Sequence, residues 1–176
     1  MNENAFKAIR AVLDGMGVTY NVLTHPPSRT SQESAAVRAA AGAPDAVGAK
    51  AILCKLTCIE TEEFATFVIP GPYRLDNALV KMAVPGLKKF RFATADEMLR
   101  ICGVLPGCMP PFGPGVFPGV SRLFVDANLL TQELLGFNAA MFEHSIVLAG
   151  SEYRKAVSSS ATIVTIARME GGTSHV

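Results

Sequence analysis

The chain lacks the spacings that build a zinc site. Its four cysteines, Cys54, Cys58, Cys102 and Cys108, form no C-x-x-C pair and have no histidine at ligand spacing, so no metal is expected. A surplus of one charge is missing too. Sixteen Lys+Arg face fifteen Asp+Glu for a formal net charge of +1, which argues neither for nor against a nucleic-acid partner. Near the N-terminus Phe6, Ile9, Val12, Leu13 and Met16 recur at helical spacing with charges between them, unlike the continuous apolar run of a signal peptide. No stretch reaches the roughly 20 apolar residues of a membrane span. A soluble cytoplasmic protein with reduced thiols and no membrane partner is the expectation. There is no G-x-S-x-G elbow, no Walker loop and no dinucleotide fingerprint. Gly113-Pro114-Gly115 lacks the flanking strand and helix of a cofactor turn, so no cofactor is expected.

What is present suits one folded unit. The 176 residues are 49% hydrophobic and 18% charged, enough for one globular domain over residues 1–170, with a flexible tail at 171–176. Periodicity predicts a helix over 5–16 and a half-buried strand over 18–24, broken by His25-Pro26-Pro27. Thr30 and Glu33 have capping-box form and open an alanine-rich helix. Residues 49–59 and 64–70 read as an antiparallel hairpin across the acidic turn at 60–63. A short helix over 76–84, a strand over 88–92 and a capped helix from Thr94 to Cys102 follow. Beyond them come strands over 122–126, 145–149 and 161–167, with helices over 128–135 and 152–157 between them. There is no β-α-β rhythm, repeat or linker. The fold class is therefore α/β of the mixed α+β kind, one domain on a largely antiparallel mixed sheet wrapped by short helices.

The most informative segment is 103–119, GVLPGCMPPFGPGVFPG, in which five residues are glycine and five are proline. A structureless segment of this length is uncommon in a compact domain, and its apolar, uncharged composition is unlike a disordered linker. Proline fixes φ and removes N–H donors, while glycine allows φ > 0 and close approach of a ligand. Such a loop can hold a few chosen N–H groups against a guest and stabilise an oxyanion there. Cys108 within it is a candidate nucleophile, although nothing nearby in sequence lowers its pKa.

Lys50 shares a strand face with Ile52, Cys54, Leu56 and Cys58, an otherwise apolar row. It either begins the strand and reaches water, or projects into a pocket mouth and pairs with an anion. His25 follows a strand, His144 precedes one, and His175 is in the tail. Thr30 and Ser31 are helix caps first. Lys81, Lys88, Lys89 and Arg91 cluster as either a solvated face or a phosphate-contacting patch.

Five segments in this order resemble the YbaK/EbsC-type aminoacyl-tRNA deacylases, relatives of the editing domain inserted in bacterial prolyl-tRNA synthetase. They are HPPSRTSQESAA, GAKAILCK, FVIPGPYRLDNALVK, GCMPPFG and FNAAMFEHSIVLAG. The family's G-x-x-x-P motif falls on residues 107–111. The resemblance implies the same fold and a free-standing hydrolase for the ester between a wrong amino acid and the tRNA 3′ end. It implies a small amino acid on tRNA-Pro or a similar tRNA, aminoacyl-tRNA as partner, and a synthetase as a second one. No metal is implied, and a ribose hydroxyl of the substrate helps to recruit water. Lys50, Gly107 and Pro111 take the catalytic positions, with Lys50 on the phosphate or ribose of the terminal adenosine. Thr30, Cys108, Met109, Pro110, Phe112 and Gly113 line the substrate, with His144 or Ser145 at the remaining wall. Two other readings stay open: a non-catalytic tRNA- or synthetase-binding module, and a Cys108-dependent hydrolase of a small ester or amide.

Overall fold

In the computed structural model, which describes residues 2–171, the elements run α1 (Glu3–Gly15), β1 (Asn21–Thr24), α2 (Ser31–Ala40), β2 (Val47–Cys58), β3 (Glu62–Pro70), β4 (Tyr73–Leu75), α3 (Asn77–Ala83) and β5 (Leu87–Phe92). They continue with α4 (Ala95–Cys102), β6 (Arg122–Asp126), a 3-10 turn (Leu129–Thr131), β7 (Leu134–Asn138), β8 (His144–Ala149), α5 (Gly150–Val157), β9 (Ala161–Val164) and β10 (Ala167–Met169). The architecture is the mixed α/β domain expected, on a mostly antiparallel sheet with few helices. From Gly172 the expected tail lies outside the described residues. Among those residues no helix is long and apolar enough to cross a membrane.

The main sheet has the order β1-β8-β7-β2-β3-β6-β9, with β5 added beside β2. Strand β2 joins its two halves. It pairs with β3 along residues 49–57, forming the hairpin read from the sequence. On its other edge it pairs parallel with β7 only at Val47 and Gly48, then antiparallel with β5 from Cys54 onward. Between those two pairings, residues 49–53 have no strand on that edge, and only the Ala93 N–H reaches the Leu53 carbonyl, at 2.8 Å. Lys50 lies in this split.

Two cores cover the faces of the sheet. One holds Ile9 and Leu13 of α1, Tyr153 and Val157 of α5, and much of the 103–119 segment. The other holds Val80 and Val84 beside Phe67 and Phe124, whose rings stack at 4.9 Å. Each fully buried aliphatic or aromatic side chain contributes about 1.5–3 kcal/mol. Strand β3 is buried from Ala65 to Pro70 because helices and loops cover both its faces, so it shows no polar alternation.

The helix expected over 128–135 is instead a single 3-10 turn followed by β7. Asp126 accepts from the backbone and side-chain amides of Asn128, at 2.9 and 3.0 Å, and so starts a turn. Leu135 and Phe137 then reach the core by pairing with β8, and that packing overrides their helix propensity. The strand expected over 161–167 is divided into β9 and β10. The Ile166 and Ala167 N–H groups turn to the Asp126 carboxylate, at 2.9 and 3.0 Å. Strand β10 pairs with β4, a strand that the sequence reading did not assign.

Asp126 is fully buried and accepts four N–H bonds from these two segments. Asp126→Ala leaves those donors unpaired and is expected to cost about 3 kcal/mol, read as a lower urea midpoint at unchanged slope.

Candidate active site

The segment after β1 is stiffened by Pro26-Pro27 and tied to the β7–β8 turn. His25 and Ser28 donate their backbone N–H groups to the carbonyls of Glu143 and Phe142, at 3.0 and 3.1 Å. Arg29 lies 4.4 Å over the Phe142 ring. In that turn Ala140 has φ +62, a left-handed conformation that alanine adopts only at a cost of about 1–2 kcal/mol. The surrounding contacts hold it there, as is common at ligand sites.

Beneath this segment runs a row of buried polar side chains: His25, Ser28, Ser34, Asn138 and Ser145. His25 Nδ1 lies 2.8 Å from the Pro26 carbonyl, which can only accept, so that nitrogen carries the proton. In the neutral ring Nε2 accepts from the Ser145 hydroxyl, at 2.8 Å. Asn138 Nδ2 donates to the Gly107 carbonyl at 2.9 Å and to the Ser28 carbonyl at 3.4 Å. One amide thus fastens the start of the glycine- and proline-rich loop to the sheet.

Gly107 can take that place because it is glycine. Its φ is +92, and a Cβ would stand 2.3 Å from the Arg29 carbonyl oxygen. It is exposed, whereas Cys108, Met109, Pro110, Pro111, Phe112 and Gly113 are all buried. Phe112 packs edge-on against Phe137 and Tyr153, and the Tyr153 hydroxyl donates to the Pro111 carbonyl at 2.7 Å. The loop is therefore anchored at both ends: Asn138 holds Gly107, and the aromatic core holds Pro111 and Phe112. Burial pushes the Cys108 thiol up, and its S–H donates to the Leu105 carbonyl at 3.3 Å. A protonated, enclosed thiol is a poor nucleophile, which removes the support for thiol chemistry.

Lys50 does not stand free. Half-buried, it donates to the carbonyls of Gly71 and Tyr73, at 3.1 and 2.5 Å, and desolvation lowers its pKa. Gly48 and Gly136 are register partners, so alternation puts Lys50 and Asn138 on the face that those two residues share. Ammonium and loop anchor occupy one face, at the split in the sheet. His144 and Ser145 point to opposite faces. Ser145 joins the Asn138 row, while the His144 ring stacks on Phe6 at 5.4 Å and lies 3.2 Å from Thr24 Oγ1. Thr30 caps α2 in a full capping box with Glu33.

The basic cluster lines two shallow hollows along β5, at the other end of β2 from Lys50. Arg91 is gripped by both oxygens of Glu97 at 2.7 Å, leaving Lys81, Lys88 and Lys89 without ion pairs among the described residues. Sequence reasoning missed Asn138, Ser28 and Ser34 and underrated His25. Their only signal is polarity in segments that the fold buries.

The model of the aminoacyl-tRNA editing domain family matches residues 25–156. Among curated proteins none matches the chain significantly. A solved structure described as a hypothetical protein superposes with a TM-score of 0.74 at 22% identity, covering 92% of this chain and 99% of its own. Another, described as a candidate trans-editing enzyme for prolyl tRNA synthetase, gives 0.70 at 20% identity, covering 95% and 98%. At such identities these likenesses establish the fold.

Gly107→Ala forces a Cβ into the Arg29 carbonyl at an unfavourable φ, so it should destabilise the protein by about 2–3 kcal/mol in urea unfolding. Iodoacetamide near neutral pH should leave Cys108 unmodified while the partly exposed Cys58 reacts. Thiolate forms at Cys108 only as pH rises through a raised pKa, and mass spectrometry of tryptic peptides reads the difference.

Proposed function

Because the chain belongs to the aminoacyl-tRNA editing domain family, we propose that it acts in trans as a deacylase of mischarged tRNA. It hydrolyses the ester between a wrong amino acid and the 3′-terminal ribose. Water attacks the ester carbonyl, the carbonyl oxygen takes negative charge, and the bond to the ribose oxygen breaks. The ribose oxygen then takes a proton, and free amino acid and tRNA leave.

One observation carries this reading: the donors left open in the clamped loop. Pro106, Pro110 and Pro111 have no N–H. The Cys108 N–H donates to the Leu105 carbonyl at 3.2 Å and that of Phe112 to the Pro110 carbonyl at 2.9 Å. The N–H groups of Gly107 and Met109 have no acceptor among the described residues. Two fixed donors in a stiff loop suit an oxyanion, and each such donor is worth about 3–4 kcal/mol in the transition state. The protein then needs no nucleophile of its own, which accords with the protonated Cys108. A ribose hydroxyl of the substrate supplies the proton relay.

In this reading Lys50 holds the phosphate or ribose of the terminal adenosine, oriented by the Gly71 and Tyr73 carbonyls. Gly107 and Pro111 bracket the acyl group, with Met109 and Pro110 between them and Ser145 behind Asn138. The amino acid removed is a small one, on tRNA-Pro or a similar tRNA. The relative described as a candidate trans-editing enzyme for prolyl tRNA synthetase supports this, as does the logic of editing. A synthesis pocket rejects a smaller side chain by only about 1–3 kcal/mol per methylene, so a second hydrolytic site is useful. A docked synthetase is the natural source of such substrates.

A panel of labelled aminoacyl-tRNAs tests the reading, with small residues on tRNA-Pro expected to be hydrolysed fastest. Lys50→Ala should lower kcat/KM on the best substrate by about 100-fold or more, with an unchanged circular dichroism spectrum. Turnover equal to the parent's would remove Lys50 from the site.

A further inference from the structure

Arg38, near the end of α2, is the only buried lysine or arginine among the described residues, at 3% exposure. It joins none of the ion pairs among the described residues. Its Nε is enclosed without an acceptor. Burial alone shifts its pKa, downward, with no carboxylate opposing. An unpaired buried charge is among the most costly features a fold can carry. A trapped water could satisfy the Nε N–H, yet it would leave the charge uncompensated.

Two glycines make room for this side chain. A Cβ at Gly136 would stand 2.7 Å from Arg38 Cδ and Nε, and one at Gly48 would stand 3.4 Å from Nη2. Arg38 therefore lies against the sheet where β7 leaves β2, over the paired Gly48 and Gly136. Lys50 follows Gly48 by two residues on the same face, roughly 7 Å along the strand, and Asn138 follows Gly136 likewise. The Arg38 side chain thus lies on the sheet face that carries Lys50 and Asn138, two residues before each of them.

We propose that Arg38 is a phosphate-binding residue of the substrate site, taking the phosphodiester that joins the terminal nucleotide to the rest of the tRNA. The inference rests on the editing reading. Every aminoacyl-tRNA carries this anion whichever amino acid is attached, and it must enter beside the acyl group. A guanidinium presents a planar fork that grips two phosphate oxygens at once. Arg38 has no carboxylate paired to it among the described residues, and an anion relieves its charge; Lys50, further along the same face, feels Glu170 and Arg74 instead.

The test is equilibrium binding of uncharged tRNA, intact or lacking its terminal nucleotide, across a salt series. The proteins are the parent, Arg38→Met and Arg38→Lys, each with its thermal unfolding midpoint. Arg38→Met should bind intact tRNA about tenfold more weakly, with a slope of log K against log salt shallower by about 1. It should match the parent on truncated tRNA. Its midpoint without ligand should equal or exceed the parent's, because an unpaired charge has gone; a merely structural arginine would lower it. Arg38→Lys should keep the slope and bind intact tRNA about threefold more weakly, since the fork is lost. A folded Arg38→Met with unchanged affinity and slope overturns the proposal. If that variant does not fold, parent-like affinity of Arg38→Lys for intact tRNA overturns it instead. Deacylation on the same samples separates the two claims. A parent that hydrolyses while Arg38→Met binds unchanged sinks only this inference. A parent that binds but hydrolyses nothing sinks the editing reading and leaves the Arg38 result standing. A parent that does not bind tRNA sinks both.

Discussion

The hydrogen bond from Asn138 to the Gly107 carbonyl fixes where the loop begins, and the rest of the candidate site depends on it. Gly107 sits so close to the Arg29 carbonyl that no side chain fits, so the loop cannot slide. Asn138 is placed in turn by β7, whose pairing with β8 sets its register, and by the Ser28 carbonyl that shares its amide. A main-chain donor works in catalysis only if it is preorganised. Here that order comes from a side chain on the sheet at one end and from Tyr153 on the Pro111 carbonyl at the other.

This arrangement explains why the chain can be a deacylase without a protein nucleophile. Cys108 stands in the loop, but enclosure raises its pKa and keeps it protonated. His25 and Ser145 form a hydrogen-bonded pair, yet Ser145 is fully buried and His25 is held at Pro26, so the pair locks the 25–28 segment to β8. In the proposed reaction the chemistry falls to backbone N–H groups, water and the substrate's own hydroxyl.

Strand β2 supplies the space. Because β7 and β5 take different stretches of one edge, the sheet is split beside Lys50, with Arg38 over Gly48 and Gly136 where the split begins. A buried arginine without a counter-ion lowers the stability of the free protein. Its presence between Gly48 and Gly136 is the kind of local cost that folds carry where they bind ligands.

Much of this was legible in the sequence. The capping boxes at Thr30 and Thr94, the β2–β3 hairpin and the unusual loop at 103–119 rest on local rules of hydrogen bonding and backbone freedom, which need no tertiary context. The family resemblance likewise lay in short ordered segments. Other features were beyond its reach. Leucines 134 and 135 fit a helix or a strand, and only pairing with β8 made the choice. His144 and Ser145 are neighbours in sequence, and the register of β8 alone decided that Ser145 faces Asn138. Nothing in the sequence sets Arg38 apart on its alanine-rich helix; the sheet beneath it makes it a buried cation without an ion pair among the described residues. Local chemistry determined where the elements and the loop would be. Which groups share a face, and which charges lose water, depended on contacts between residues distant in sequence.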